Sequence, residues 1–254
     1  MDRHRRAGVA RSPIARPHAT VLPFAVVFLL VPPLPAQTPD PYLEARLQMV
    51  REQIASRRWA DPVTDTAVLR AMRTVPRHRF VPPELLRLAY ADRPLPIGYG
   101  QTISQPYIVA AMTQLLELEP GDNVLEIGTG SGYQAAVLAE ITDRVYTIEI
   151  VEPLARSGRE RLEALGYESV TVREGDGYYG WREVAPFDAI VVTAAASHIP
   201  PPLVEQLKPD GRMVIPVGAP LQTQALMLVN KRADGSVVQR NMGPVRFVPL
   251  TRRK

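Results

Sequence analysis

The chain has 254 residues, with 30 Lys and Arg against 26 Asp and Glu, no cysteine and four histidines. That length holds one large domain or two small ones, with enough chain to bury a substantial core. The absence of cysteine excludes disulfides, thiolate zinc sites, iron–sulfur clusters and a thiol nucleophile, and His4, His18, His78 and His198 lack metal-ligand spacing, so no metal site is expected.

The formal charge of +4 resides in residues 1–36, where Arg3, Arg5, Arg6, Arg11 and Arg16 face only Asp2. The remainder balances 25 basic against 25 acidic residues, which removes the electrostatic argument for a nucleic-acid partner. Residues 21–31 (VLPFAVVFLLV) form a short apolar run, followed by prolines and Ala36. A basic stretch, an apolar centre and a small residue at the end outline a secretory signal peptide, and a run this short cannot span a bilayer. The expectation is an exported, periplasmic protein with no stable membrane association once residues 1–36 are removed. The competing reading is an over-extended start, with translation beginning nearer Met49 in a cytoplasmic protein.

In chain order, residues 42–60 place Leu43, Leu47, Val50 and Ile54 at helical spacing and read as an amphipathic helix. Asp65 is a candidate N-cap for a second helix that Pro76 terminates. Residues 82–99 are punctuated by proline and read as loop with at most one short helix. Helical periodicity resumes over residues 106–118, with Pro106 suited to the first turn. Short apolar runs then alternate with helical stretches. Residues 124–127, 144–150, 170–173, 187–193 and 212–217 read as strands, and residues 133–141, 153–165 and 202–207 as helices. Residues 224–231 and 236–240, either side of Ala233-Asp234-Gly235, read as an antiparallel hairpin. The pattern predicts an α/β fold: a doubly wound, Rossmann-like sheet, mostly parallel, with an antiparallel C-terminal hairpin and an N-terminal helical extension. Residues 37–254 are taken as a single domain, with 42–118 as a helical acceptor-site region and 119–254 as the cofactor-binding core.

The sharpest local signal is Glu126-Ile127-Gly128-Thr129-Gly130-Ser131-Gly132, which follows a strand and opens a helix. Glycines there permit a tight turn and close approach of the backbone to a ligand. Glu149 ends the next strand, 21 residues beyond Gly128, at a distance suited to accepting ribose hydroxyl hydrogens. A dinucleotide fingerprint needs glycine where this chain has Tyr133, and the spacing tilts the choice toward S-adenosylmethionine. Asp176, after the third strand of the core, lies on the same sheet edge and can accept from an adenine amino group. The Thr193-Ala194-Ala195-Ala196 segment lacks the Asn/Asp-Pro-Pro-aromatic signature of nucleobase amino-methyltransferases, and cytosine-C5 chemistry needs an absent cysteine.

Longer blocks narrow the acceptor. Val75-Pro76-Arg77-His78-Arg79-Phe80-Val81-Pro82, Gly98-Tyr99-Gly100-Gln101-Thr102-Ile103-Ser104-Gln105-Pro106, residues 126–134, Thr193-Ala194-Ala195 with Ile199-Pro200, and Val248-Pro249-Leu250-Thr251 together run from about Tyr42 to Thr251. On these blocks the chain resembles the protein-L-isoaspartate O-methyltransferases, repair enzymes for isomerised aspartyl and deamidated asparaginyl residues. The resemblance implies methyl transfer from S-adenosylmethionine to the free α-carboxyl of L-isoaspartyl residues in peptides and proteins, by a monomer. It implies that Ser104 is the active-site serine and that Gly100, Gln101, Thr102 and Ile103 line the cofactor pocket. It further implies that Gly128, within the loop that includes Gly130 and Gly132, lies under the methionine part of the cofactor. Glu149 then binds ribose, Asp176 and Gly177 contact adenine, and Thr251 lies near the site although the chain stops three residues later. The leader departs from the family, whose members are usually cytoplasmic. Two other readings stay open: a methyltransferase of this fold acting on another small acceptor, and a non-catalytic nucleoside-binding domain.

Among the remaining residues, His78 reads as a packed structural histidine, and His198 as structural with substrate contact as the alternative. Arg77 and Arg79 read as surface salt-bridge residues, or as groups steering a peptide carboxylate. Tyr178, Tyr179 and Trp181 read as a satellite apolar cluster rather than a base-stacking platform.

Overall fold

A computed structural model describes residues 40–56, 61–220 and 222–253. The expected leader lies outside the described residues. The first helix, α1 (Leu43–Gln48), runs directly into a π-helical stretch, Met49–Ala55. The wider π turn changes which residues face inward. Arg46, Met49, Val50 and Ile54 are buried, while Leu43, expected on the apolar face, is 45% exposed. The last residues of the expected helix, 57–60, lie outside the described residues.

The next helix, α2 (Thr66–Thr74), starts as expected: the Asp65 carboxylate accepts from the backbone N–H of Ala67 at 2.8 Å and of Val68 at 3.1 Å. The proline-rich segment folds into two short 3-10 turns, Arg77–Phe80 and Pro83–Leu88. It then forms a two-stranded hairpin, β1 (Leu95–Gly98) and β2 (Gln101–Ile103), where a loop was expected. Buried Leu95 and Ile103 pair across it. Proline is tolerated because a two-stranded ribbon has free edges on both sides. Helix α3 (Pro106–Leu116) follows, with Pro106 in its first turn.

The core then alternates β3 (Asn123–Ile127), α4 (Tyr133–Ala139), β4 (Arg144–Glu149), α5 (Glu152–Ala164), β5 (Val170–Glu174), β6 (Phe187–Val192), α6 (Pro201–Gln206) and β7 (Leu207–Val217). Two antiparallel strands close it, β8 (Gln224–Lys231) and β9 (Val237–Val245). The seven strands lie in the order β5-β4-β3-β6-β7-β8-β9, with β3 to β7 parallel. Successive residues serve opposite faces, as strand geometry requires. Val124, Val191 and Val214 join the core shared with Met72, Met112 and Tyr133. Leu125, Ile127, Ile190, Val192, Met213 and Ile215 join the other, beside Leu203 of α6. The chain order reverses at β3, where β4 lies on one side and β6 on the other. A crevice at the carboxyl ends of such strands is where an open α/β sheet binds ligands.

β7 starts at Leu207 rather than at residue 212 because its register with β6 shifts between Phe187 and Ala189, which absorbs Lys208 to Gly211 as a bulge. Among the described residues no helix is long and apolar enough to cross a membrane.

Candidate active site

The glycine loop leaves β3 with Gly128, Gly130 and Gly132 at φ values of +101°, +52° and +89°. The backbone N–H groups of Gly128, Thr129, Gly130 and Gly132 are already spent inside the protein. Those of Gly128 and Thr129 donate to the Ile148 carbonyl at 2.8 and 3.3 Å, and that of Gly132 to Thr129 at 2.7 Å. Gly130 N–H donates to Glu149 Oε2 at 2.8 Å. A pyrophosphate would need those donors free. What the loop presents to the cleft is bare main chain at Gly128 and Gly130. Sequence reading did not anticipate that these N–H groups are occupied.

Glu149, at the end of β4, is 5% exposed and takes one backbone N–H on each oxygen, from Gly130 and, at 2.9 Å, from Val151. One lone pair on each oxygen remains for a vicinal diol. Thr193, after β6, donates from Oγ1 to the Gly128 carbonyl at 2.8 Å and so ties the loop to the neighbouring strand.

Gln101, Thr102, Gly128, Gly130, Glu149, Gly177, Thr193 and Thr251 line one cleft, floored by Ile148 and Ile150 and walled by Val248, Pro249 and Leu250. Thr102, Ile103 and Ser104 meet Glu126, Gly128 and Gly130 around a smaller adjoining cavity. Glu126 is fully buried; its Oε2 accepts from Thr147 Oγ1 at 2.5 Å and its Oε1 has no partner. Burial pushes its carboxyl up to about 8, against the Thr147 hydrogen bond and with a further rise from Glu149.

A second cavity of about 500 Å³ opens on the other side of Thr102. Ser104, Gln105 and Ile108 form one wall, and Val245, Arg246 and Phe247 the other. Ser104 Oγ has no hydrogen-bond partner among the described residues. Arg246, an exposed residue, is part of this lining. Sequence reading missed Arg246 and Phe247. No motif spacing joins them to Ser104, and only the antiparallel return through β8 and β9 does so.

Three expected residues stand outside the lining of these cavities. Gly100 is at the tip of the β1–β2 hairpin, at φ +71°. Gly132 is the N-cap of α4, where a Cβ would come within 3.1 Å of Leu162. Asp176 caps the 3-10 turn Gly177–Tyr179; its Oδ1 accepts from Tyr178 N–H and its Oδ2 from Arg252 Nε at 3.0 Å and Arg253 N–H at 3.2 Å. Arg252 also lies over the Tyr178 ring, 3.6 Å from its centroid. The C-terminal segment is held by backbone bonds between Ala195 and both Val248 and Leu250, each 2.8 Å.

Arg77 departs most from expectation. It is fully buried rather than a surface salt-bridge residue, and burial holds its guanidinium below the ordinary arginine range. Nε donates to the Ala89 carbonyl at 2.8 Å and Nη2 to the Ser104 carbonyl at 2.7 Å, while Nη1 has no hydrogen-bond partner. Arg79 is exposed. His78 is structural, stacked on Tyr42 at 4.2 Å and bonded through Nδ1 to Tyr90 Oη at 2.8 Å. His198 bonds Tyr178 Oη at 3.1 Å and Ser197 Oγ at 3.0 Å. Trp181 packs edge-on to Tyr146 at 5.5 Å, whereas Tyr179 is 56% exposed, so the expected aromatic cluster divides between interior and surface.

Comparison with known proteins identifies relatives of this chain. The family described as protein-L-isoaspartate(D-aspartate) O-methyltransferase matches residues 48–254. A Nitrosospira multiformis protein-L-isoaspartate O-methyltransferase is 63% identical over 209 residues, covering 82% of this chain and 88% of its own. A Cupriavidus necator relative of the same name is 54% identical over 252 residues, covering 96% of this chain and 97% of its own. Among solved structures, a protein-L-isoaspartate O-methyltransferase superposes with a TM-score of 0.71 at 29% identity, over 82% of this chain and 65% of that one. A Plasmodium falciparum structure described as a protein of this kind, in complex with S-adenosyl-L-homocysteine, gives 0.69 at 25% identity, over 83% of this chain and 98% of that one.

Proposed function

The chain belongs to the protein-L-isoaspartate(D-aspartate) O-methyltransferase family, and from that premise we propose how its own residues divide the work. The reaction moves a methyl group from S-adenosylmethionine to the free α-carboxyl of L-isoaspartyl residues in damaged proteins. The cofactor supplies a methyl group activated by a sulfonium. A carboxylate is ionised at neutral pH and already nucleophilic, so the protein needs no strong general base. Its task is orientation and exclusion of water, which together lower a bimolecular barrier substantially.

Glu149 receives the ribose hydroxyls on its two open lone pairs. The bare turn at Gly128 and Gly130 holds the methionine part, and the turn at Asp176 and Gly177 meets adenine, with one lone pair of Asp176 Oδ1 still open. Gln101, Thr102 and Ile103 close the cleft from the hairpin side, and Thr251 from the C-terminal side. Ser104 donates its hydroxyl hydrogen to one oxygen of the acceptor carboxylate and turns the other toward the methyl group. The observation that carries this reading is that Thr102 lines both cavities while Ser104 faces the larger one with its hydroxyl unengaged.

Labelled methyl transfer to an isoaspartyl peptide, with the aspartyl isomer as control, tests the reaction. Absence of a base-labile methyl on the isoaspartyl form defeats it. Ser104→Ala keeps cofactor affinity and slows transfer, whereas Glu149→Ala loses affinity; equal loss of affinity in both variants counts against the division of roles.

The same reading takes the protein as a monomer acting on peptides and proteins, without nucleic acid. Export is supported by the basic, then apolar, then Pro-Ala pattern of residues 1–36. N-terminal sequencing after cell fractionation decides: an intact chain in the cytosol sinks export.

A further inference from the structure

We propose that Arg77 is a positioning residue for methyl transfer: its buried guanidinium fixes the main chain of Ser104 against the helix that follows the glycine loop. This rests on the reading of Ser104 given above and extends it. Ser104 lies between the end of β2 at Ile103 and the N-cap of α3 at Gln105. Neither the strand ladder nor the helix holds its carbonyl there. Arg77 Nη2 does so, at 2.7 Å, while Nε of the same planar group is fixed on the Ala89 carbonyl at 2.8 Å. The guanidinium carbon stands 4.7 Å from the ring centroid of Tyr133, the first residue of α4. Three segments far apart in sequence therefore meet on one rigid fork, and one of them ends in the site serine.

The alternative is that Arg77 serves packing alone. Burying a guanidinium is costly, and an apolar side chain of similar volume in such a place is often neutral or stabilising. Arg77 also leaves Nη1 unpartnered, a further cost. A residue selected only to fill space would carry neither. The two directed hydrogen bonds require the fork, because an ammonium is a point donor that cannot hold both carbonyls in their present places.

The test uses Arg77→Met, which keeps volume and removes the fork, and Arg77→Lys, which keeps charge and loses one of the two bonds. For each variant, thermal unfolding, S-adenosylhomocysteine affinity by calorimetry, and kcat and KM with an isoaspartyl peptide are measured. The expected result is a kcat lowered about 10- to 100-fold, the scale of a misplacement of about 1 Å, with cofactor affinity within about twofold of wild type. If Arg77→Met does not fold, Arg77→Lys carries the same readout. In a Ser104→Ala background the Arg77 substitution should have little further effect on kcat, because it acts through that serine. Wild-type kcat in a folded Arg77 variant overturns the proposal, and so does parallel loss of kcat and cofactor affinity. A full additional loss of kcat in the Ser104→Ala background overturns it while leaving the role of Ser104 intact. Wild-type kcat in Ser104→Ala alone overturns the reading of the serine itself.

Discussion

Replacing Glu126 by glutamine isolates the cost of holding a carboxyl inside the sheet. Its Oε2 takes the Thr147 hydroxyl and its Oε1 has no partner, with the whole side chain buried. Burial raises the carboxyl from an ordinary 4.5 to about 8. Between those two values the folded chain keeps a proton that the unfolded chain releases. Stability from this group is fully present below about pH 4.5 and is lost as pH rises through about 8, by about 1.4 kcal/mol per pH unit. From pH 5 to pH 7 the loss amounts to about 3 kcal/mol. Glutamine has the same shape as the protonated acid, still accepts from Thr147 and does not titrate. Urea unfolding of both proteins at intervals from pH 5 to pH 9 gives the comparison, since the other titrating groups are common to both. Wild-type stability should fall relative to Glu126→Gln by about 3 kcal/mol between pH 5 and 7 and level off above pH 8. A difference that stays flat across that range refutes the reasoning.

Gly177→Ala introduces a Cβ only 2.3 Å from Ile127 Cγ2, a buried atom of β3. Overpacking of about 1–3 kcal/mol and weaker cofactor binding should follow, and a variant with wild-type melting temperature and affinity removes the cradle role assigned to this glycine. Asp65→Ala deprives the Ala67 and Val68 N–H groups of their acceptor. It should cost about 1 kcal/mol in denaturant unfolding, and an unchanged midpoint would show that water replaces the cap without loss.

The sheet was legible because its strands alternate faces within short apolar runs. Val191 packs on one side while Ile190 and Val192 pack on the other. The meeting of Glu149 with the glycine turn was legible because spacing along one βαβ unit brings them together. The β1–β2 hairpin was not, since Pro94, Pro96, Gly98 and Gly100 carry the composition of a loop and only the burial of Leu95 and Ile103 makes strands of it. Arg77 was misread because charge in a sequence speaks for the surface. Its burial depends on carbonyls at Ala89 and Ser104 that no local pattern announces. The hold of Arg252 on Asp176 spans 76 positions, so its geometry belongs to the folded chain alone.

Thr102 lines both the cleft proposed for the cofactor and the cavity proposed for the acceptor. The two spaces therefore adjoin at this residue. Donor and acceptor can be resident together, each in its own space, and neither must leave for the other to arrive. Direct transfer from donor to acceptor, as proposed above, then belongs to a ternary complex. Its kinetics should then be sequential rather than ping-pong, with the order of arrival left to the relative concentrations of the two ligands.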